Sequence, residues 1–323
     1  MKQQWLDRPE AGSAFGYRLI STFATLCGRT AARLVLFPIT AFFLIRRGPE
    51  RRAARDYLRL ALGREPTLRD IAKQFYVFAA IILDRLFLLS ERFKRFDIQV
   101  HGLDDLRAQW GKQQGVLIYG SHLGSFDALR VLAQIRTDVK VRVVLDTEQT
   151  PALTRMLNTL NPELARSIIN ARQDGAITAL AIKEALDEAA LVTLLVDRAR
   201  PGNQMAVVDF LGRPAPFPTG PWQLAAALKV PVVLCFGLYR GGNRYDLHFE
   251  TFADTVRLER GNREASLNAI IQRYAQRLAH YTRSAPYNWF NFYDFWHLNS
   301  SAPAGDPPGN AAQRAAGVER RPE

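Results

Sequence analysis

Residues 115–133, GVLIYGSHLGSFDALRVLA, constrain the fold of this chain more than any other segment. The run Val116–Tyr119 is apolar and aromatic, which is typical of a buried strand. Gly120 and Ser121 break the run, and the apolar spacing that follows predicts a helix. The segment therefore predicts a strand, a tight break and a helix, which is a unit of an α/β fold.

His122 lies in this break, and Asp127 follows it. Residues five apart in a regular helix point about 140° away from each other, so the two side chains meet only if His122 precedes the first turn. Gly120, Ser121 and Gly124 favour such a start, with a flexible backbone and a possible N-cap. A carboxylate bonded to one imidazole nitrogen leaves the other nitrogen as a general base. The pair is predicted to be a catalytic dyad, with a structural histidine as the alternative.

Backbone N–H groups at the start of a helix carry positive potential, so those near Gly124 and Ser125 are predicted to hold an oxyanion. Ser125 itself is a rival candidate for a nucleophile. Its surroundings, Leu123–Asp127, lack the G-x-S-x-G elbow of serine hydrolases. The sequence therefore favours His122 over Ser125 as the group that begins the chemistry.

Positive charge is concentrated at the front of the chain. The net charge is +12, and residues 1–95 hold 18 Lys and Arg against 8 Asp and Glu. Together with many apolar residues, this charge favours a phospholipid surface over nucleic acid. Arginines and Pro38 interrupt the apolar region 11–45, so no window supplies the ~20 uncharged residues of a spanning helix. We expect one or two helices in the bilayer interface, with a soluble helical lid as the alternative.

Two charged residues, Asp84 and Arg85, lie in the middle of a helix predicted over 67–93, with Thr67 as a possible N-cap. A paired structural role is expected for both. Cys27 and Cys235 lie in separate apolar runs, which is typical of reduced thiols in the cytosol. The sequence has no CxxC or HExxH spacing and predicts neither a metal nor a cofactor. The first ten residues lack the apolar stretch of a signal peptide.

From Phe96 onward, strand-like runs alternate with helical patterns. This alternation predicts an α/β domain over 96–298, a mixed and largely parallel sheet flanked by helices, after a membrane-associated helical region over 1–95. Strands are predicted at 96–100, 115–120, 139–146, 167–170, 191–197, 204–212, 231–240 and 244–252, and helices at 151–160, 174–189, 221–229 and 262–281. The aromatic segment 286–297 is expected to cap the core or line an acyl or membrane contact. Residues 299–323 have the composition of a disordered tail.

With SHLGSFD, LLVDR and FLGRPAPFPTGPWQLA in place, the chain resembles the lipid A biosynthesis (late) acyltransferase family. This family belongs to a superfamily of glycerolipid and lysophospholipid acyltransferases with an H-x4-D/E motif. The resemblance covers most of residues 10–298 and implies a glycerolipid acyltransferase-like fold. Ser121 and Phe126 stand where the family often has Asn and Trp.

The resemblance also implies a substrate-binding set around His122. VDRARPG places Asp197 and Arg198 where lipid A members commonly carry an Asp-Gln type pair, and Arg172 falls where a basic residue tends to occur. The alternatives are a salt bridge for Arg198, a surface role for Arg172 and a loop-shaping role for the glycines and Pro218. The expected substrate-binding residues are Ser121, Gly124, Ser125, Arg172, Asp197, Arg198, Gly212, Pro218, Thr219 and Gly220.

Taken together, the resemblance implies an O-acyltransferase that moves a fatty acyl group from an acyl carrier protein or CoA thioester to a hydroxyl of a lipid or glycolipid. His122 would be the general base and Asp127 its orienting carboxylate. Asn291, Tyr293 and Asp294 replace basic residues usual in the family, which favours glycolipid or pigment-lipid acceptors. The expected location is the cytoplasmic face of a bacterial inner membrane, peripheral or monotopic. A non-catalytic lipid- or carrier-binding module and a lipid esterase remain alternatives.

Overall fold

The computed structural model describes residues 14–89, 94–110, 114–127, 139–148, 151–172, 174–198 and 202–296. Most of the helix predicted after His122 falls on residues 128–138, outside the described ranges. The predicted tail after residue 299 lies outside them as well. Both expectations therefore stay predictions.

Three helices precede the sheet: α1 (Ala14–Arg46), α2 (Gly48–Leu62) and α3 (Leu68–Leu88). Gly28 interrupts α1 with a left-handed φ of 82°, which a residue without a Cβ adopts readily. Helix α3 begins at the predicted cap, Thr67, whose hydroxyl accepts from the backbone N–H of Asp70 in a capping box.

Arginines of α1 attach this helix to the rest of the protein through a buried carboxylate on α3. Arg29 Nε lies 2.7 Å from Asp84 Oδ1, and the Tyr245 hydroxyl donates to Asp84 Oδ2 at 2.9 Å. Arg33 is a further cation of the cluster, 3.9 Å from Asp84. Asp84 has no solvent exposure, so these partners compensate its charge. The paired structural role expected for Asp84 is confirmed.

The central sheet has seven strands in the order β1-β9-β8-β2-β5-β3-β4. Neighbours pair in parallel except β8 and β9, so the predicted mixed, largely parallel sheet is confirmed. The strands are β1 (Asp97–His101), β2 (Val116–Gly120), β3 (Val141–Leu145), β4 (Ile168–Asn170), β5 (Leu191–Leu195), β8 (Val232–Gly241) and β9 (Arg244–Ala253). The remaining helices are α4 (Leu103–Trp110), α5 (Pro151–Leu160), α6 (Pro162–Arg166), α7 (Gly175–Asp187), α8 (Gly220–Leu228) and α9 (Arg263–Ser284).

A separate hairpin consists of β6 (Met205–Phe210) and β7 (Arg213–Pro218). The sequence predicted a strand over 204–212 and a turn over Gly212–Gly220, so β6 agrees with the prediction and β7 does not. Pro214, Pro216 and Pro218 of β7 lack N–H donors, which is unusual within a strand. The three prolines occupy alternate positions, so their missing donors all belong to the same edge of β7. The edge of β7 that lacks these donors can therefore face away from β6, where no hydrogen bond to β6 is required.

Residues 286–296, here called the closing segment, pack the end of the chain against the N-terminal helices. The Tyr57 hydroxyl of α2 donates to the Pro286 carbonyl, and Gln74 Nε2 of α3 donates to the Trp289 carbonyl at 2.7 Å. Trp289 and Phe295 are buried, with at most 2% exposure. The closing segment therefore has the core-capping contacts that were one of its two predicted roles.

Candidate active site

The chain leaves β2 at Gly120 and continues in an extended form, without entering a helix at once. Leu123 forms an isolated antiparallel bridge with Trp289, and Gly124 forms a parallel bridge with Gly237 of β8. A Cβ on Gly124 would lie 1.9 Å from the Gly237 carbonyl oxygen, so only glycine fits this approach. Pairing with two distant parts of the chain thus replaces the predicted start of a helix, and Asp127 is the first helical residue after the break.

The backbone N–H groups expected to hold an oxyanion have protein partners. Gly124 N–H donates to the Asn288 carbonyl at 2.8 Å, and Ser125 N–H donates to the Gly237 carbonyl at 2.7 Å. The β-bridges that hold this loop in an extended form therefore use both N–H groups. In this structure, neither group points at a position where an oxyanion would form, and this expectation is corrected.

His122 is held by Asp197, which lies two residues after the end of β5. His122 Nδ1 lies 2.8 Å from Asp197 Oδ1, and the backbone N–H of His122 donates to Oδ2 at 3.1 Å. Asp197 has no solvent exposure, whereas 32% of the His122 side chain is exposed. The carboxylate therefore fixes one face of the imidazole, and Nε2 is the ring nitrogen left for a substrate.

The predicted contact between Asp127 and His122 is not formed. Asp127 is buried, and its Oδ2 lies 2.6 Å from Nε of Arg85 on α3. The physical reason is that the extended loop brings Asp127 to the surface of α3, where a guanidinium compensates its charge. Arg85 thus has the paired role expected of it. Asp197, predicted as a substrate-binding residue, occupies the orienting position that was predicted for Asp127.

The electrostatic surroundings favour the neutral form of His122. Desolvation by the surrounding protein lowers the pKa of His122, and the charge of Arg198 lowers it further against the opposing effect of Asp197. Burial alone would raise the pKa of Asp197, but the imidazole and Arg198 bring it below its usual value. These shifts favour a neutral imidazole bonded to an ionised carboxylate. Such an imidazole can accept a proton at Nε2.

Arg198 connects the pair to the closing segment. Its Nη2 donates to the Phe290 carbonyl at 2.7 Å, its Nε donates to Asn291 Oδ1, and its guanidinium lies 5.5 Å from the ring centroid of Tyr293. The described contacts include no salt bridge of Arg198 to Asp197 or another acid, which was the alternative role expected for it. Arg198 is instead a fixed positive charge beside His122.

Among the described contacts, the other residues predicted for the substrate site make no hydrogen bond or ion pair with the His122 side chain. Arg172 follows β4, at the far edge of the sheet from β8, and lies 3.2 Å from Glu148. Gly212 is in the β6–β7 turn with a φ of 84°, and the Thr219 hydroxyl donates to the Gln204 carbonyl at 3.1 Å next to Pro218 and Gly220. Ser121 and Ser125 are buried. The exposure of Ser125 is 1%, which does not suit an attacking nucleophile.

One group among the described residues has the spacing of metal ligands: His101, Asp246 and His248 at the β1–β9 edge. Asp246 already pairs with Arg240 at 2.6 Å, and the two imidazoles stack with centroids 4.5 Å apart. These three residues are separated from His122 by β8. The absence of a metal from the chemistry stays a prediction.

Sequence reasoning missed Asp197 as the partner of His122, and it missed Trp289 altogether. Trp289 Nε1 donates to Asp197 Oδ2 at 3.2 Å. A signal for Asp197 was available, because it ends the strand predicted at 191–197 and the carboxyl ends of parallel strands meet at one edge of a sheet, as those of β2 and β5 do. Trp289 carried no such signal, since it is distant in sequence and lies outside any strand of the sheet.

The family described as bacterial lipid A biosynthesis acyltransferase matches residues 9–297 of the chain. A search among curated proteins found no match.

Proposed function

Because this chain belongs to the bacterial lipid A biosynthesis acyltransferase family, we propose that it transfers a fatty acyl group from a thioester to a hydroxyl of a lipid or glycolipid. The observation that carries the proposal is the hydrogen bond between His122 Nδ1 and the buried Asp197. It gives the imidazole one defined tautomer, with Nε2 available as a base. The donor is an acyl carrier protein or CoA thioester, and no further cofactor takes part.

The proposed reaction is a direct transfer. The acceptor oxygen attacks the thioester carbonyl carbon while its proton moves to His122 Nε2. The tetrahedral intermediate then breaks its C–S bond, and the imidazolium returns the proton to the leaving sulfur. Asp197 stabilises the imidazolium in between, and the charge of Arg198 stabilises the oxyanion or a phosphate of the donor.

We further propose that the N-terminal helices bind the membrane that holds the acceptor. Within the described residues, one helical segment, Leu26–Arg46, has the length and composition of a membrane span, with a mean hydropathy of 1.4. The segment contains Arg29, Arg33 and Arg46, and it meets this criterion although the sequence predicted no spanning helix here. On the outward face of α1, four large side chains are 56–77% exposed: Leu34, Phe37, Phe42 and Ile45. Exposed Arg52 and Arg55 of α2 would face anionic headgroups at the cytoplasmic side of a bacterial inner membrane.

The experiment that tests this function is mass spectrometry of lipids from bacteria with and without the protein. We expect a lipid heavier by one acyl chain in cells with the wild-type protein and in cells with His280→Ala, an exposed histidine of α9. Cells with His122→Ala should lack it. The same product from His122→Ala would contradict the base assignment. Free fatty acid in place of an acylated lipid would indicate an esterase.

A further inference from the structure

The indole of Trp289 contacts the carboxylate of the proposed catalytic pair at the oxygen that does not bond the imidazole. Its Nε1 donates to Asp197 Oδ2 at 3.2 Å, and the same oxygen accepts the backbone N–H of His122 at 3.1 Å. We propose that Trp289 is a positioning residue that holds the Asp197 carboxylate in the orientation required by His122. This inference rests on the function proposed above.

The geometry gives this hydrogen bond a specific consequence. Two donors fix Oδ2, which leaves Oδ1 directed at Nδ1 of His122 at 2.8 Å. A buried carboxylate with fewer donors is a stronger base, and it is also freer to rotate about its Cβ–Cγ bond. Without the indole N–H, the pair would therefore bind a proton more tightly and present the imidazole less uniformly.

The position of Trp289 is itself fixed by the fold. Its backbone forms the bridge with Leu123 and accepts from Gln74, so it follows the loop that carries His122. Its ring packs against Tyr57 and Phe295, with centroids 4.9 and 5.0 Å away. The closing segment thus delivers a rigid donor to the active site, in addition to covering the core.

A plain packing role is the competing explanation, and the chain offers a matched control for it. Trp222 on α8 is also fully buried, and its Nε1 has no hydrogen-bond partner in the described part of the protein. Replacing Trp222 by Phe removes the same ring atoms without removing a hydrogen bond. Any change in kcat or in the His122 titration for Trp289→Phe beyond that for Trp222→Phe measures the contribution of the Trp289 N–H donor.

The test compares Trp289→Phe, Trp289→Tyr and Trp222→Phe in the full-length protein. Steady-state kinetics with an acyl thioester give kcat and KM, and NMR titration of the His122 ring follows protonation without needing activity. The groups that face the pair are unchanged in all three variants: Arg85, Arg198, Tyr274 and Tyr293. Thermal unfolding reports how far each variant is destabilised.

For Trp289→Phe we expect kcat to fall about tenfold or more at unchanged KM, as for loss of one hydrogen bond to a charged group. The His122–Asp197 pair should titrate at higher pH than in the wild type. Trp289→Tyr, which keeps a donor, should recover part of the activity. Trp222→Phe should change neither kcat nor the titration.

Equal kcat and equal titration in Trp289→Phe and Trp222→Phe would overturn the proposal. If Trp289→Phe does not fold, β-(3-benzothienyl)alanine at position 289 keeps the bicyclic ring and lacks only the N–H. A wild-type titration in that protein would likewise overturn it. Absence of acyl transfer by the wild type would count against the proposed function alone, because the titration still tests the role of Trp289.

Discussion

At the scale of single residues, two buried carboxylates near His122 have different partners. Asp197 contacts the imidazole, whereas Asp127 contacts Arg85. The spacing motif alone suggested Asp127, since only local sequence distance was available. The carboxylate after the neighbouring parallel strand makes the direct contact with His122, whereas Asp127 forms an ion pair with Arg85.

Asparagine substitutions separate these two roles. Asp197→Asn should lower kcat by about 10³–10⁴-fold, because an amide at this position favours the wrong imidazole tautomer. Asp127→Asn should have a smaller effect, since its contact with His122 is indirect. Steady-state acyl transfer at matched protein concentration measures both. An equally severe loss in both variants, with folding intact, would support the dyad predicted from the sequence.

The charge of Arg198 gives a prediction for the pH dependence of activity. A general base works while neutral, and the pKa of His122 lies below its ordinary value of about 6.5, so transfer should persist into mildly acidic solution. Arg198→Gln removes a charge that lowers this pKa, so the acidic limb of the pH profile should move to higher pH. Arg277→Gln, which breaks an ion pair with Glu250 elsewhere, is the control. An unmoved limb in Arg198→Gln would contradict this electrostatic role.

At the scale of secondary-structure elements, the sequence predicted most strands and helices because their apolar periodicity is local. The strand at Leu191–Leu195 and the helix at Pro151–Leu160 agree with the predicted positions. The loop after Gly120 and the proline-rich β7 were predicted incorrectly. Both depend on partners far along the chain, Trp289 and Gly237 for the loop and β6 for the hairpin.

The attachment of α1 depends on Asp84, and this is testable by unfolding. Asp84→Asn leaves Arg29 without its buried counter-charge, so the free energy of unfolding should drop by about 3–5 kcal/mol. Chemical denaturation followed by circular dichroism measures it. Asp104→Asn, which removes an exposed partner of Arg107, should leave the midpoint unchanged. An unchanged midpoint for Asp84→Asn would show that α1 does not depend on this cluster.

At the scale of the whole molecule, the N-terminal helices serve both the core and the outer surface. Ala54, Tyr57 and Leu58 of α2 are buried in the cluster that includes β2, whereas the outward face of α1 is apolar and exposed. Deleting residues 1–64 would therefore remove core packing together with the proposed membrane surface. The sequence predicted the basic, apolar character of this region, but it could not predict which side chains face inward.

Point substitutions test the membrane surface while leaving the core intact. Leu34→Glu combined with Ile45→Glu should weaken binding to anionic phospholipid vesicles, because apolar area is lost and negative charge is added. Vesicle sedimentation measures the bound fraction. Val207→Glu, an exposed apolar position on the hairpin, should bind like the wild type. Undiminished binding by the double variant would place the membrane contact on another surface.

The most direct measurement of the central claim is transfer of an isotope-labelled acyl chain from a thioester to membrane lipid by the purified protein. Wild-type protein should place the label on lipid in an ester bond, and His122→Ala and Asp197→Asn should lose most of this transfer while remaining folded. Transfer at the wild-type rate by folded His122→Ala protein would contradict the account.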